Sequence, residues 1–155
     1  AALETVRVET ASQMHAEVKR RIRNADMAFM VAAVSDYTPA EVCTDKLSRK
    51  KGALQLALNP TTDILAEMGH KKKRPYLVGF SAETGDGIDR AVRKREEKRA
   101  DLMVFNDVTR SGSGFDTDTN EVTLLFPHED PERLPMMPKP DVAREIFNRI
   151  LNRLA

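Results

Sequence analysis

The chain has 155 residues, 41% hydrophobic and 32% charged, with a formal net charge of only +1. That is enough for one domain with a real core, and it leaves no global field to draw the protein to nucleic acid or a membrane. No apolar run approaches a membrane span, and the single cysteine, Cys43, excludes an internal disulfide and multi-cysteine metal frameworks and fits a reducing cytoplasm.

The chain opens on Ala1, and its first legible stretch looks like an interior strand, so it reads as a piece of a longer polypeptide. Thr5 to Glu9 alternates Val6 and Val8 with polar neighbours, the pattern of a half-buried strand. Thr10 to Gln13 is a capping box, and Met14, Val18 and Ile22 follow at helical spacing with arginines outside. Met27 to Val34 is an apolar run that predicts a strand covered on both faces. In open α/β sheets ligands gather beyond the carboxyl ends of strands, which puts Ala32, Ala33 and Asp36 where a ligand would lie. Asp36 can accept hydrogen bonds from sugar hydroxyls or help hold a metal; equally, it can simply start a turn.

Ser35 to Gly52 is long for a connection and carries Lys46, Arg49, Lys50 and Lys51, which suits a polyphosphate or only a solvated loop. Ala53 to Leu58 reads as a one-sided strand. After Asn59 and Pro60, Thr61 or Thr62 can cap a short helix from Asp63 that Gly69 ends, and the amides at its start can hold a phosphate or a base edge. His70 to Arg74 reads as a solvated turn.

Tyr76 to Phe80 is a short buried strand, with Ser81 to Gly85 at its exit and Phe80 either stacking on a ligand or packing in the core. Ile88 to Arg99 is a helix with a thin apolar face; Lys94 and Lys98 share one side of it, and surface solubility is their plain account. Leu102 to Phe105 is another strand, with Asn106 and Asp107 at its exit. Val108 to Asn120 is polar and glycine-rich, Glu121 to Phe126 a final strand, Pro127 to Pro140 a proline-rich connection, and Asp141 to Leu154 an amphipathic helix with Val142, Ile146, Phe147, Ile150 and Leu154 buried.

Strands alternating with helices predict an α/β, Rossmann-like three-layer fold whose mostly parallel sheet brings the strand exits to one edge. No Walker A motif, G-x-G-x-x-G fingerprint, plausible Ser/His/Asp set or zinc ligand set is present. What remains is a nucleotide-like site of one acid, several lysines and strand-end backbone.

AAVSDYTPAEVCTDKLSRK, NPTTDIL, VGFSAET, the Lys94/Lys98 helix, LMVFNDV and GFDTDTNEVTLL, in that order, resemble phosphopantothenoylcysteine synthetase from about Val6 to the last helix. In bacteria that CTP-dependent enzyme is usually the carboxyl-terminal half of a bifunctional coenzyme A biosynthesis protein. The resemblance implies a ligase that joins 4'-phosphopantothenate to L-cysteine with CTP through an acyl cytidylate, releasing pyrophosphate and CMP, with magnesium on the triphosphate. It places Asp36 on the ribose and Lys46 on the triphosphate as the catalytic cation. Ala32, Thr62, Asp63, Ile64, Leu65, Phe80, Lys94 and Lys98 are further nucleotide contacts, and no protein metal ligand is implied.

It further implies a cytoplasmic homodimer built through a dimerisation arm at residues 108–126, and a fused flavin-dependent decarboxylase domain. No nucleic-acid or membrane partner is implied. NPTTDIL is longer than the usual NPDIL, which displaces the contacts from Thr61 to Asp63, and the family's first glycine-rich unit with its SNxSSG stretch is missing. Residues 1–155 therefore read as a single synthetase-like domain, incomplete at its amino terminus. The competing readings are a non-catalytic nucleotide-binding or dimerisation module and a fragment of a dinucleotide-dependent oxidoreductase.

Overall fold

The computed structural model describes residues 3–43, 45, 53–83, 87–109 and 117–155. Their elements are α1 (Ala11–Arg21), a 3-10 turn (Ile22–Asn24), β1 (Met27–Met30), β2 (Tyr37–Pro39), β3 (Leu58–Pro60), α2 (Ile64–Gly69), β4 (Tyr76–Glu83), α3 (Ile88–Glu97), β5 (Leu102–Asp107), β6 (Thr119–Leu125), β7 (Glu132–Pro138) and α4 (Lys139–Leu154). Five strands make one mixed sheet in the order β1-β4-β5-β6-β7. β1, β4 and β5 are parallel neighbours; β6 runs against them and β7 turns back, so all but β6 share a direction. This is the expected α/β class.

Side-chain alternation along the strands splits the core between the two sheet faces. Leu77, Met103, Phe105 and Leu125 point to one side, where they meet Ile64, Leu65 and Met68 of α2 and Ala91 of α3. Val78, Leu102, Val104, Val122 and Leu124 point to the other and meet Val142, Ile146 and Ile150 of α4. Helices on both faces complete the three layers.

Local sequence explains most elements. The Thr10 hydroxyl accepts from the Gln13 amide at 3.1 Å, while the Gln13 side chain accepts from the Thr10 amide at 3.2 Å, so the capping box forms as read. Met14 and Val18 are half-buried against the first cluster, and Ile22 is buried in the turn that follows. His15 and Lys19 reach across to Glu67 of α2 at 2.7 and 3.3 Å, tying α1 to α2.

Several expectations are corrected. Thr5 to Glu9 forms no strand and its residues are largely exposed, because no described neighbour lies alongside to accept a ladder. β1 stops at Met30 and lies at one edge of the described sheet, and its exposure shows that it is not covered on both faces: Phe29 is 39% and Val31 61% exposed. The strand expected over Ala53 to Leu58 shrinks to Leu58–Pro60, paired with β2 in a separate hairpin, and Leu54, Leu56 and Leu58 are exposed. Arg74 is no solvated turn residue. Its guanidinium grips Asp101 with two hydrogen bonds, and Asp101 also accepts from the Leu77 amide at 2.7 Å, which pins the entry of β4 to that of β5.

Residues 127–140 contain β7, an edge strand beside β6 that buries Leu134. In α4 the stripe is Val142, Ile146 and Ile150, whereas Leu154 is exposed and Phe147, also exposed, stacks on Phe29 with ring centroids 6.4 Å apart. Part of the proposed dimer segment, residues 110–116, lies outside the described residues. The rest of it includes β6, an interior strand whose apolar residues Val122, Leu124 and Leu125 are buried within this chain, so a partner is not needed to cover them.

The helix expected over Ile88 to Arg99 ends at Glu97 and hides a residue its pattern did not single out: Arg95 is 7% exposed. Its Nη2 donates to Glu96 at 3.2 Å, but Nε and Nη1 are buried without an acceptor among the described residues. Buried donors left unpaired cost about 1–3 kcal/mol. Arg95→Met, which keeps the apolar stem and removes the guanidinium, should therefore raise stability by about 1–3 kcal/mol, read as a higher urea midpoint at unchanged slope. A lower midpoint would show that the guanidinium finds acceptors in solution.

Candidate functional site

Because β1, β4 and β5 are parallel and adjacent, their carboxyl ends lie on one side of the sheet. A cleft of about 640 Å3 opens there, lined from six parts of the chain, with Met14 and Val18 of α1 and Met103 of β5 giving apolar wall beside four others. Residues 31–34 and Asp36 leave β1, Thr61 to Leu65 enter α2, Phe80 to Ala82 end β4, and Lys94 of α3 and Lys98 at its carboxyl-terminal cap reach in.

The sequence places these groups for distinct reasons. The Thr61 amide donates to the Asp36 carbonyl at 2.8 Å and the Thr61 hydroxyl to the Ser35 carbonyl at 2.5 Å, lacing the β1 exit to the approach of α2. Asp36 is exposed, and its carboxylate takes no partner among the described residues, which leaves it able to accept from a ligand hydroxyl. Asp63, not Thr61 or Thr62, caps α2: one carboxylate oxygen accepts from the Ala66 amide at 2.9 Å. That occupies one of the donors expected for a phosphate. The other oxygen of Asp63 lies 3.1 Å from Lys98 Nζ.

Two glycines permit this geometry. A Cβ on Gly69 would overlap the Lys98 carbonyl, so only glycine lets the end of α2 touch the end of α3. A Cβ on Gly79 would press into Leu65 and Met103, so glycine also brings α2 down onto β4. Ile64 and Leu65 are buried at 7% and 9% exposure, and they contribute wall rather than polar contacts.

Lys94 is held by Glu83, the last residue of β4. The Glu83 carboxylate also accepts from Ser81 at 3.2 Å and lies 3.4 Å from Arg90. The Lys94 hydrogen bond is the main reason that its carboxyl sits below the usual carboxylate range.

Of the residues anticipated from sequence, Ala32, Asp36, Thr62, Asp63, Ile64, Leu65, Phe80, Lys94 and Lys98 all line this one cleft. Lys46 lies outside the described residues, as do Arg49, Lys50, Lys51, Thr84 and Gly85. The β5 exit does not join the cleft: Asp107 accepts from the Thr109 amide and hydroxyl at 3.0 and 2.6 Å and shapes its own turn. Sequence reasoning missed Glu83 and Asp63 as partners of the lysines. No local signal announces them, because each pair depends on how separate elements meet. Among the described residues, no group of three or more His, Cys, Asp or Glu side chains converges to cage a metal ion.

The family model described as DNA/pantothenate metabolism flavoprotein C-terminal domain matches residues 1–154. The chain belongs to this family. Among curated members, the Coenzyme A biosynthesis bifunctional protein CoaBC of Bacillus subtilis (strain 168) is 42% identical over 95% of this chain and 36% of its own length. A protein named Cysteine/Cysteine sulfinic acid decarboxylase, from an unknown prokaryotic organism, is 35% identical over 96% of this chain and 42% of its own. This flavoprotein C-terminal domain thus spans well under half the length of those relatives.

Among solved structures, the C-terminal domain of a Coenzyme A biosynthesis bifunctional protein CoaBC superposes with a TM-score of 0.76 at 37% identity, covering 97% of this chain and 67% of that one. The DNA/pantothenate metabolism flavoprotein from Streptococcus pneumoniae, at 18% identity and a TM-score of 0.72, shares the fold. These matches agree with the resemblance to the synthetase half of the bifunctional protein.

Proposed function

We propose that the strand-end cleft binds CTP, and that the chain is the nucleotide-binding part of the ligase of coenzyme A biosynthesis that joins 4'-phosphopantothenate to L-cysteine. The observation that carries this reading is the cleft itself. A carboxylate without a partner among the described residues, two lysines and an aromatic ring, Phe80, line the one cleft at the strand ends. That set suits a ribose, a polyphosphate and a base. Family membership and the bifunctional relatives support coenzyme A biosynthesis as its setting.

In this reading the substrate carboxylate attacks the α-phosphorus of CTP. An oxygen–phosphorus bond forms and pyrophosphate leaves. The amine of cysteine then attacks the acyl carbon, the amide bond forms, and CMP departs. Little covalent chemistry falls to the protein, so positioning and charge neutralisation dominate. Lys94 and Lys98 bind the phosphates, Asp36 orients the ribose, and Lys46 supplies the cation at the attacked phosphorus. Magnesium enters as part of the nucleotide substrate, which suits an ion that prefers substrate phosphates to all-protein cages. The complete enzyme is a cytoplasmic homodimer fused to a flavin-dependent decarboxylase.

Calorimetric titration with CTP and with ATP, each with magnesium, tests the reading. Saturable CTP binding is expected, and Asp36→Asn should weaken it by about 1–2 kcal/mol, roughly tenfold. Absence of CTP binding by the folded wild-type chain, or unchanged affinity in the variant, would count against the nucleotide site or the ribose role respectively.

A further inference from the structure

The lysines of the cleft already have anionic partners before any ligand arrives. Lys98 is 3.1 Å from Asp63, and Lys94 is bound to Glu83. The two arrangements differ in which partner can move. Asp63 is about half exposed at its side chain and also caps α2. Glu83 is only 16% exposed at its side chain, belongs to a strand paired with β5, and accepts from Ser81 while facing Arg90. The start of α3 is seated on it, since a Cβ at Gly87 would press against the Glu83 Cβ and the Phe105 ring. Lys94, by contrast, is 45% exposed on a flexible stem. When an anion enters, the lysine moves and the carboxylate stays.

We propose that Glu83 is an internal competitor for Lys94, a positioning carboxylate that holds down the affinity of any phosphate ligand that takes this lysine and so assists its release. This rests on reading the cleft as a nucleotide site. A single phosphate that takes Lys94 exchanges one charge-assisted contact for another and meets the fixed charge of Glu83. The net gain is small. A polyphosphate engages Lys94 and Lys98 together, because the two ammonium groups line the same cleft from one face of α3. Each lysine taken gives up its own ion pair, so the cost is met once per lysine whatever the length of the ligand. The same competition assists release of a monophosphate product, since Glu83 retakes Lys94 as the product departs.

The test is titration of the full chain and of Glu83→Gln with CTP, CMP and inorganic pyrophosphate, with melting curves for both proteins. Removing the competitor should tighten CTP and pyrophosphate by about two- to fivefold, the scale of a partly exposed ion pair, and CMP by no larger a factor. The preference for CTP over CMP is therefore kept or widened. Adding Lys94→Gln to Glu83→Gln should erase the gain, which a merely structural role for Glu83 would not predict. Unchanged or weaker binding of CTP and pyrophosphate by folded Glu83→Gln, or a gain for CMP larger than that for CTP, overturns the inference. If Glu83→Gln does not fold, Glu83→Asp, which keeps the charge and shortens the reach, should show a smaller gain in the same direction, and no gain overturns the idea. If the wild-type chain binds no CTP, the nucleotide reading fails by itself. Tighter pyrophosphate binding by the variant would still uphold the competitor, and its absence would sink both.

Discussion

Met68→Ala should lower stability by about 2–5 kcal/mol, the range for truncating a fully buried Met or Leu to Ala. Met68 is 0% exposed and belongs to the cluster formed with Leu65, Leu77, Ala100 and Met103. Its surroundings cannot close the void easily. α2 is only six residues long, and Gly69 at its end already touches the Lys98 carbonyl, so the helix has no room to slide toward α3. In a domain of this size the loss corresponds to a fall in melting temperature on the order of 5–15 °C. Urea unfolding followed by circular dichroism measures it, and a loss below about 1 kcal/mol would mean that the helix re-docks over the gap. Because α2 also carries Asp63, the same variant should loosen the Asp63–Lys98 pair and weaken ligand binding at temperatures where the chain is still folded.

Lys94→Ala combined with Lys98→Ala should abolish measurable nucleotide binding while leaving the fold intact. A hydrogen bond to a charged group is worth about 1.5–3 kcal/mol, so each lysine accounts for about a tenfold to hundredfold change in affinity. Their effects compound if both reach the same polyphosphate. Stability should hardly change, because the side chains are 45% and 28% exposed and partly exposed ion pairs contribute about 0–1 kcal/mol. Titration with CTP and a parallel melting curve separate the two effects. Wild-type affinity in the double variant would remove the lysines from the site, and a large fall in melting temperature would recast them as structural.

Much of this architecture was written in local pattern. The capping box at Thr10 and Gln13, the alternation of apolar runs with helices and the stripe of α4 each follow from spacing within a few residues. The parallel-sheet rule pointed to Asp36 and to the β4 exit at Phe80, while Lys94 and Lys98 read as surface charge and entered only through the family resemblance; the structure brings all four to one cleft. What escaped depends on neighbours. β7 was hidden by Pro135 and Pro138, residues that an edge strand tolerates because one side of its ladder is empty; its register against β6 also shifts between Asn120 and Val122. Val6 and Val8 alternate like a strand, but alternation does not create a partner to pair with. Arg95 looked like one more surface charge until the docking of α3 buried it, and Glu83 gained its meaning only when β4 ran past Phe80.

The division of the core by the sheet carries a consequence for how such a domain diverges. Leu77 and Val78, or Met103 and Val104, are chain neighbours that serve different clusters, one beneath the cleft and one beneath α4. Substitutions whose side chains share no partners combine nearly additively. A lineage can therefore reshape the packing under α2 and α3 to suit a new ligand without renegotiating the packing under α4, and drift behind the sheet need not erode the site in front of it.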